Sequence, residues 1–354
     1  MTRADTLPGV DSRLVETKRL ETHVLEAGDP DGHPVVFLHG NVSSSRFFED
    51  RLRELPDGYR AIAPDFRGYG DSEVKAIDAT RGLGDFVADL RALCVDLGFE
   101  DSATLVGWSN GGGVAMQYTM AYPDAVETLV LVNPVSPYGF GGTKDLEGTP
   151  CYDDHAGSGG GLSTDEFVAG LENRTREPAG DGSPRAVLRS FYVDPTYDFD
   201  PDREESYVTS MLDTATGAKN YPGAAVESPN WPGVAPGDLG VNNAVSPKYC
   251  DLSAIAEIDP KLPIMWLRGK TDQIVSNESV FDLGALGRLG QVPDWPGEDE
   301  FPPQPMVDQT RAVLEDYEDA GGEFEEVVLS GVGHTPHVEA PTEFGSHLES
   351  ALEW

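Results

Sequence analysis

The sequence predicts an α/β protein with a mostly parallel, doubly wound sheet. Three observations predict this class. Short β-rich runs alternate with helical runs over residues 1–135, the alternation resumes over 259–354, and residues 136–258 are a Gly- and Pro-rich stretch that interrupts it. We therefore expect a core formed by 1–135 and 259–354, and an inserted, largely helical cap or lid over 136–258.

The elements of the predicted core follow from runs of apolar and β-branched residues. The expected strands are 22–27, 35–38, 60–63, 103–106, 128–132, 262–267 and 324–329. The expected helices are 45–55, 85–97, 110–121, 304–320 and 341–352. In the inserted segment, cap residues predict helix starts near Ser163, Ser183 and Asp200. Residues 287–305 contain too many prolines for either element and are expected to form a long excursion.

The charge balance is strongly acidic. The 354 residues include 62 Asp and Glu against 25 Lys and Arg, a formal net charge of −37. Such a surface repels nucleic acid. The acids are dispersed along the chain, and the composition resembles that of cytoplasmic proteins of extreme halophiles, whose self-repulsion is screened by salt. Segments 33–45, 102–123, 128–143 and 329–338 contain no Asp, Glu, Lys or Arg, so the charge reports on the solvent rather than on the substrate.

No apolar run is long enough for a membrane span or a signal peptide, so we expect a cytoplasmic protein that does not bind membranes. The three cysteines are too widely spaced for a zinc cluster, and the Gly-rich stretches lack a Lys at phosphate-loop spacing. Asp153, Asp154 and His155 are expected to lie on a solvated loop without a metal. The sequence therefore predicts no cofactor.

The strongest local motif is Gly107-Trp108-Ser109-Asn110-Gly111, between an apolar strand and a helix. A nucleophile on a sharp strand-to-helix turn needs small residues two positions before and after it, because the backbone brings these positions into contact. Gly107 and Gly111 meet that requirement. The turn exposes the Ser109 hydroxyl and directs the N-terminus of the following helix at developing negative charge.

A serine hydroxyl needs an imidazole base, and the base needs a carboxylate that fixes its tautomer. Asp272 and His334 follow later strands, in the chain order Ser, acid, His. Because carboxyl ends of parallel strands meet at one edge of a sheet, we expect both near Ser109. Asp272 could instead terminate its strand or cap a turn, and His337 is a less favoured alternative to His334.

With these motifs, the sequence resembles the α/β-hydrolase superfamily. The resemblance includes Leu38-His39-Gly40-Asn41, the segment 64–72, the Ser109 turn, the Asp272 loop and Gly333-His334. It implies that Ser109 is the nucleophile, His334 the general base and then acid, and Asp272 the orienting carboxylate. The backbone N–H groups of Asn41 and Asn110 would form the oxyanion hole. The segment 136–258 corresponds to the family's cap.

Other candidates remain open at this stage. Trp108 is expected either to line the substrate pocket or to pack under the turn, and His39 is a second pocket candidate. Asn41 could also donate from its side chain. The Leu38-His-Gly-Asn41 stretch resembles the dehalogenase and epoxide-hydrolase branches, which use an aspartate nucleophile, whereas this chain has Ser109.

The predicted function is that of a serine hydrolase that cleaves a carboxylic ester or lactone through an acyl-enzyme on Ser109. The alternatives are hydrolysis of a carbon–carbon bond in a diketone-like substrate, cofactor-free perhydrolase activity, and a non-catalytic ligand receptor. The expected partner is a small-molecule substrate. The sequence leaves the oligomeric state open, a homo-oligomer included.

Overall fold

The computed structural model describes residues 6–354, and its centre is an eight-stranded mixed sheet. The strand order is β1-β2-β4-β3-β5-β6-β11-β12, in which β1, β2 and β4 pair antiparallel and all other neighbours pair parallel. The strands of this sheet are β1 Asp11–Glu16, β2 Glu21–Gly28, β3 His33–Leu38, β4 Tyr59–Pro64, β5 Ala103–Trp108, β6 Val126–Val132, β11 Pro263–Gly269 and β12 Glu323–Leu329. The predicted α/β class and mostly parallel sheet are confirmed.

Helices cover both faces of the sheet. They are α1 Glu49–Leu52, α2 Gly84–Leu97, α3 Asn110–Ala121, α8 Leu283–Arg288, α9 Met306–Asp319, α10 Pro336–Glu339 and α11 Pro341–Leu352. The central strands are buried on both sides, as expected of a doubly wound sheet, and every residue of β5 is buried. No helix among residues 6–354 has the length and apolarity needed to cross a membrane.

Two features of the core differ from what the sequence predicted. The edge strand β1 was missed because only one of its six residues, Val15, is buried, so no alternating pattern marks it; hydrogen bonds to β2 hold it. The helix predicted over 45–55 is a 3₁₀ turn, Ser45–Phe48, followed by the single helical turn α1.

The segment 136–258 adds no strand to the large sheet. Its helices are α4 Asp165–Glu172, α5 Pro184–Val187, α6 Pro201–Leu212 and α7 Val241–Ala244, and its short strands are β7 Thr216–Gly217, β8 Tyr221–Pro222, β9 Ala225–Glu227 and β10 Val234–Pro236. Helices thus form a minority of a segment expected to be largely helical, because backbone and side-chain hydrogen bonds stabilise its Gly-rich loops instead. The cap of α4 is Thr164, one residue after the predicted Ser163.

Candidate active site

Ser109 lies on a strained turn between β5 and α3. Its φ of 56° and ψ of −121° are unusual for a non-glycine residue. A Cβ on Gly107 would lie 2.5 Å from the Gly111 carbonyl oxygen, and a Cβ on Gly111 would lie 2.1 Å from the Leu38 carbonyl oxygen. The two glycines are therefore required for the approach that forms this turn.

Asp272 and His334 form a buried pair although 62 residues separate them. Asp272 Oδ2 lies 2.8 Å from His334 Nδ1, and each side chain is 2% exposed. The other oxygen, Oδ1, accepts hydrogen bonds from the Ile274 and Val275 N–H groups at 2.8 and 3.1 Å. The carboxylate thus both caps its own turn and contacts the imidazole. With Nδ1 at the carboxylate, Nε2 remains for proton transfer.

Asn41 and Asn110 provide backbone N–H groups beside Ser109. Neither N–H donates a hydrogen bond to another residue within 6–354. The Asn41 side chain is held by two contacts, because its Oδ1 accepts from the Tyr69 hydroxyl at 2.7 Å and one N–H of its Nδ2 donates to Asn242 Oδ1 at 2.9 Å. These contacts favour the backbone N–H of Asn41 over its side chain as the donor to a substrate oxygen.

Asn133 and Glu339, which no sequence motif indicated, bind the loops that carry Asp272 and His334. Asn133, at the end of β6, accepts from the Gly269 N–H and donates to the Gly333 carbonyl, both at 3.0 Å. The Glu339 carboxylate accepts from the N–H groups on both sides of His334, at 2.9 Å from Gly333 and 3.1 Å from Thr335. Both therefore orient the His334 loop, which we define as residues 330–335.

Neither Trp108 nor His39 lines the cavity beside Ser109, so of the two alternatives for Trp108 packing under the turn is confirmed, and the pocket expectation for His39 is wrong. Trp108 packs under the turn and donates from Nε1 to the His334 carbonyl at 2.7 Å. His39 Nε2 accepts from the Phe66 N–H at 3.0 Å, and burial lowers the His39 pKa to about 4, which keeps the ring neutral. Each residue supports a loop rather than contacting the cavity.

His337 does not compete with His334 for the carboxylate. Its ring stacks on Phe48 at a centroid distance of 4.4 Å, and neither ring nitrogen has a hydrogen-bond partner among the described residues. Burial, Arg51 and His334 hold the His337 pKa well below its usual value. His337 is therefore a neutral core residue.

A cavity of about 480 Å³ lies beside Ser109 and His334. Its size is in the range of small-molecule sites. The walls are mostly apolar, and many of them come from the inserted segment and from residues 274–286; they include Phe140, Phe167, Phe191, Ile274 and Phe281. Among residues 6–354, the titratable side chains that line the cavity with a charge, apart from the His334 imidazole, are Glu166 and Asp181. No Lys or Arg of the described residues lines it.

Ser12, His23 and Asp65 form a hydrogen-bonded series of Ser, His and Asp side chains at the edge of the sheet. Ser12 Oγ is 2.8 Å from His23 Nε2, and His23 Nδ1 is 2.7 Å from Asp65 Oδ2. Asp65 also accepts from the Ser45 and Asp71 N–H groups. Neither Ser12 nor His23 lines the cavity. These three side chains therefore have the hydrogen bonds of a triad but do not border the cavity beside Ser109.

Asp154, in the segment of Asp153, Asp154 and His155, is hydrogen-bonded within the protein. Asp154 accepts from Asn230 Nδ2 at 3.0 Å and from the Ser228 hydroxyl at 2.6 Å. Within residues 6–354, no group of three or more His, Cys, Asp or Glu side chains is arranged to hold a metal ion.

Parts of the chain are similar in sequence to known hydrolases and to a family model. Residues 33–150 match a family model described as "alpha/beta hydrolase fold". Epoxide hydrolase 1 of Caenorhabditis elegans is 30% identical over 138 residues, which cover 39% of this chain and 34% of that protein. Cis-3-alkyl-4-alkyloxetan-2-one decarboxylase of Shewanella oneidensis is 32% identical over 132 residues, which cover 36% of this chain and 40% of that protein. The chain thus matches less than half the length of either relative.

The likeness to solved structures extends over nearly the whole chain. An esterase from Exiguobacterium antarcticum superimposes with a TM-score of 0.59 at 18% identity, covering 97% of this chain and 100% of that one. At this identity the likeness concerns the fold, and it includes the segment 136–258.

Proposed function

We propose that this chain, whose fold is the α/β hydrolase fold, is a serine hydrolase that cleaves a carboxylic ester or lactone through an acyl-enzyme on Ser109. One observation carries the proposal. A serine on a strained turn and a carboxylate-paired imidazole line one cavity, beside two backbone N–H groups that donate to no residue within 6–354. This is the set of groups that acyl transfer requires.

In the first half of the proposed reaction, Ser109 Oγ attacks the substrate carbonyl carbon while His334 Nε2 takes the hydroxyl proton. The carbonyl oxygen becomes an oxyanion and accepts hydrogen bonds from the Asn41 and Asn110 N–H groups. Asp272 stabilises the imidazolium. His334 then returns the proton to the leaving alkoxide, and the alcohol departs.

In the second half, His334 takes a proton from water, whose oxygen attacks the acyl carbon. The tetrahedral intermediate collapses, His334 protonates Ser109 Oγ, and the carboxylic acid is released. Removing one oxyanion donor typically costs about 3 to 4 kcal/mol of activation free energy. The conformation of the loop that contains Asn41 therefore matters nearly as much as the imidazole.

The named relatives bear on the substrate class. The name of the Shewanella protein contains an oxetan-2-one, which is a four-membered cyclic ester, and this supports a lactone among the substrates. Epoxide hydrolysis, the activity in the name of the nematode protein, is not proposed. The aspartate nucleophile of that branch is replaced here by Ser109.

The substrate is proposed to be uncharged and largely apolar, because the described part of the chain gives the cavity mostly apolar walls, two acids and no Lys or Arg. A p-nitrophenyl butyrate ester is therefore expected to have a kcat/KM about 100-fold higher than the hemisuccinate ester of similar size, because burial of an unpaired carboxylate is costly. Steady-state kinetics in molar KCl, where long-range repulsion is screened, measures the ratio.

Two results would count against this proposal. Equal turnover of the two esters would show that the cavity does not select against negative charge. Absence of ester and lactone turnover, together with no labelling of Ser109 by a fluorophosphonate, would favour a ligand receptor. The labelled peptide must be identified by mass spectrometry, because another serine, Ser12, is hydrogen-bonded to an imidazole.

The segment 136–258 is proposed to be the cap of this hydrolase, because it provides much of the cavity wall.

The protein is further proposed to work in concentrated salt. Its net charge of −37 produces self-repulsion that ions screen over about 10 Å at 0.1 M and about 3 Å at 1 M. Reducing KCl from 2 M to 0.1 M is expected to lower Tm by about 5 to 10 °C, where each kcal/mol of stability lost lowers Tm by roughly 1 to 2 °C in a protein of this size. Calorimetry at the two salt concentrations measures the shift. An unchanged Tm would contradict the proposal.

A further inference from the structure

The loop of residues 39–44, here called the Asn41 loop, has an unusual backbone. Val42 has a φ of 45°, in the left-handed region that a β-branched side chain rarely adopts. Val42 follows Asn41, the proposed oxyanion donor, and its N–H donates to Asn41 Oδ1 at 3.1 Å. The conformation of this loop must therefore be held by contacts from outside it.

Several segments contact this loop, and the contact to its backbone carbonyl groups at Asn41 and Val42 comes from Tyr192, in the inserted segment. Its hydroxyl lies 2.9 Å from the Asn41 carbonyl oxygen and 3.4 Å from that of Val42, and it donates to this pair of acceptors. Burial raises the pKa of the Tyr192 hydroxyl, so the donor stays protonated. The ring packs edge-on against Trp108 and His334, with centroid distances of 6.0 and 6.1 Å.

Tyr192 is itself fixed by the His334 loop. The Thr335 hydroxyl donates to the Tyr192 carbonyl at 2.9 Å, and two residues later the Asp194 N–H donates to Glu339 Oε2 at 2.6 Å. A Cβ on Gly333 would lie 2.6 Å from the Asp194 nitrogen, so a glycine is needed beside His334 for this approach. One residue of the insert thus connects the loop of the proposed base to the loop of the proposed oxyanion donor.

We infer that Tyr192 is a positioning residue, because its hydroxyl holds the Asn41 loop in the conformation that keeps the Asn41 N–H free at the cavity. The same residue fixes the position of that N–H relative to His334. This inference rests on the proposed function. It gives the inserted segment a role in assembling the catalytic groups, beyond forming the wall of the cavity.

Replacing the hydroxyl alone tests the inference. Tyr192→Phe keeps the ring and therefore the cavity wall, so KM is expected to stay within about twofold while kcat falls about 10-fold, as loss of one hydrogen bond that acts on the transition state predicts. The rate of fluorophosphonate labelling at Ser109 is expected to fall by a similar factor. The matched control is Tyr197→Phe, whose hydroxyl donates to the Val338 carbonyl at 3.2 Å and lies outside the cavity; its kcat should stay within about twofold of wild type.

A second variant separates positioning from general destabilisation. Glycine adopts positive φ without strain, so in a Val42→Gly background the Asn41 loop should depend less on the hydroxyl. The loss of kcat caused by Tyr192→Phe is expected to shrink there to less than about threefold. A merely structural effect on folding would appear in Tm and would not be rescued in kcat by this change.

The outcomes distinguish the two proposals. A wild-type protein that is not labelled at Ser109 and does not hydrolyse esters would overturn the proposed function and this inference with it. A wild-type protein that reacts normally, with Tyr192→Phe equal to Tyr197→Phe, would overturn this inference alone. An undiminished 10-fold loss in the Val42→Gly background would also overturn it.

Discussion

Ser109→Ala is expected to lower kcat by about 10⁴- to 10⁶-fold, the loss seen when a serine nucleophile is removed from an intact triad. The hydroxyl makes no hydrogen bond to another side chain or backbone group within residues 6–354, and alanine can occupy the same strained turn. The fold should therefore survive. Ester hydrolysis and fluorophosphonate labelling measure the activity, and circular dichroism with thermal unfolding checks the fold.

The matched control for this change is Ser12→Ala. It removes the hydroxyl of a serine that is hydrogen-bonded to a carboxylate-paired imidazole, His23. Because Ser12 does not line the cavity, this variant should retain wild-type turnover. Ser109→Ala with more than a tenth of wild-type turnover would contradict the nucleophile assignment.

Asp272→Asn is expected to lower kcat by about 10³- to 10⁴-fold, because an amide at this position favours the wrong imidazole tautomer. The remaining carbonyl oxygen can still accept from the Ile274 and Val275 N–H groups, so the turn should keep its shape. Steady-state kinetics at constant salt measures the loss, and thermal unfolding tests whether the turn is preserved.

Asp282→Asn is the control for changing a buried carboxyl group in the same region. Asp282 caps α8 by accepting from the Ala285 N–H at 3.1 Å, and burial raises its pKa to about 6. It makes no contact with His334, so turnover should stay within about threefold of wild type. Equal losses in the two variants would mean that Asp272 only caps its turn.

The sequence predicted the core of the fold well where burial leaves a clear pattern. Strands such as β5 and β6 are apolar runs between helices whose bounds were close to those observed, and α3 and α11 were predicted to the residue. The strand β1 has one buried residue, so its position depends on pairing with β2, which a local pattern does not report. The turn at 45–48 departs from an α-helix because Ser44 and Ser45 bond to groups from other segments.

The same distinction applies to the candidate site, where residues in local motifs were predicted and residues with distant partners were not. Ser109, Asp272 and His334 follow strands and lie in a recognisable order, so local motifs were enough to find them. Asn133, Tyr192 and Glu339 have no local motif, because their partners lie about 140 to 200 residues away or across a helical turn. A polar residue directly after β6, at the edge where the other strands end, was the one signal that could have indicated Asn133. His39 was misassigned, and Trp108 was left with two alternatives, because proximity in sequence to a site does not report the direction of a side chain.

The hydrogen-bonded side chains of Ser12, His23 and Asp65 include an imidazole, His23, that can serve as an internal reference for His334. His23 and His334 each contact one carboxylate at 2.7 to 2.8 Å and each is nearly fully buried, yet only His334 borders the cavity. In a proton NMR spectrum, the downfield resonance of the Nδ1 proton reports the imidazole–carboxylate hydrogen bond of each ring. The His334 resonance reports this bond beside the cavity, and the His23 resonance reports it away from the cavity. Any change confined to His334 when an ester analogue binds can therefore be assigned to the ligand, with salt and temperature effects read from His23 in the same spectrum.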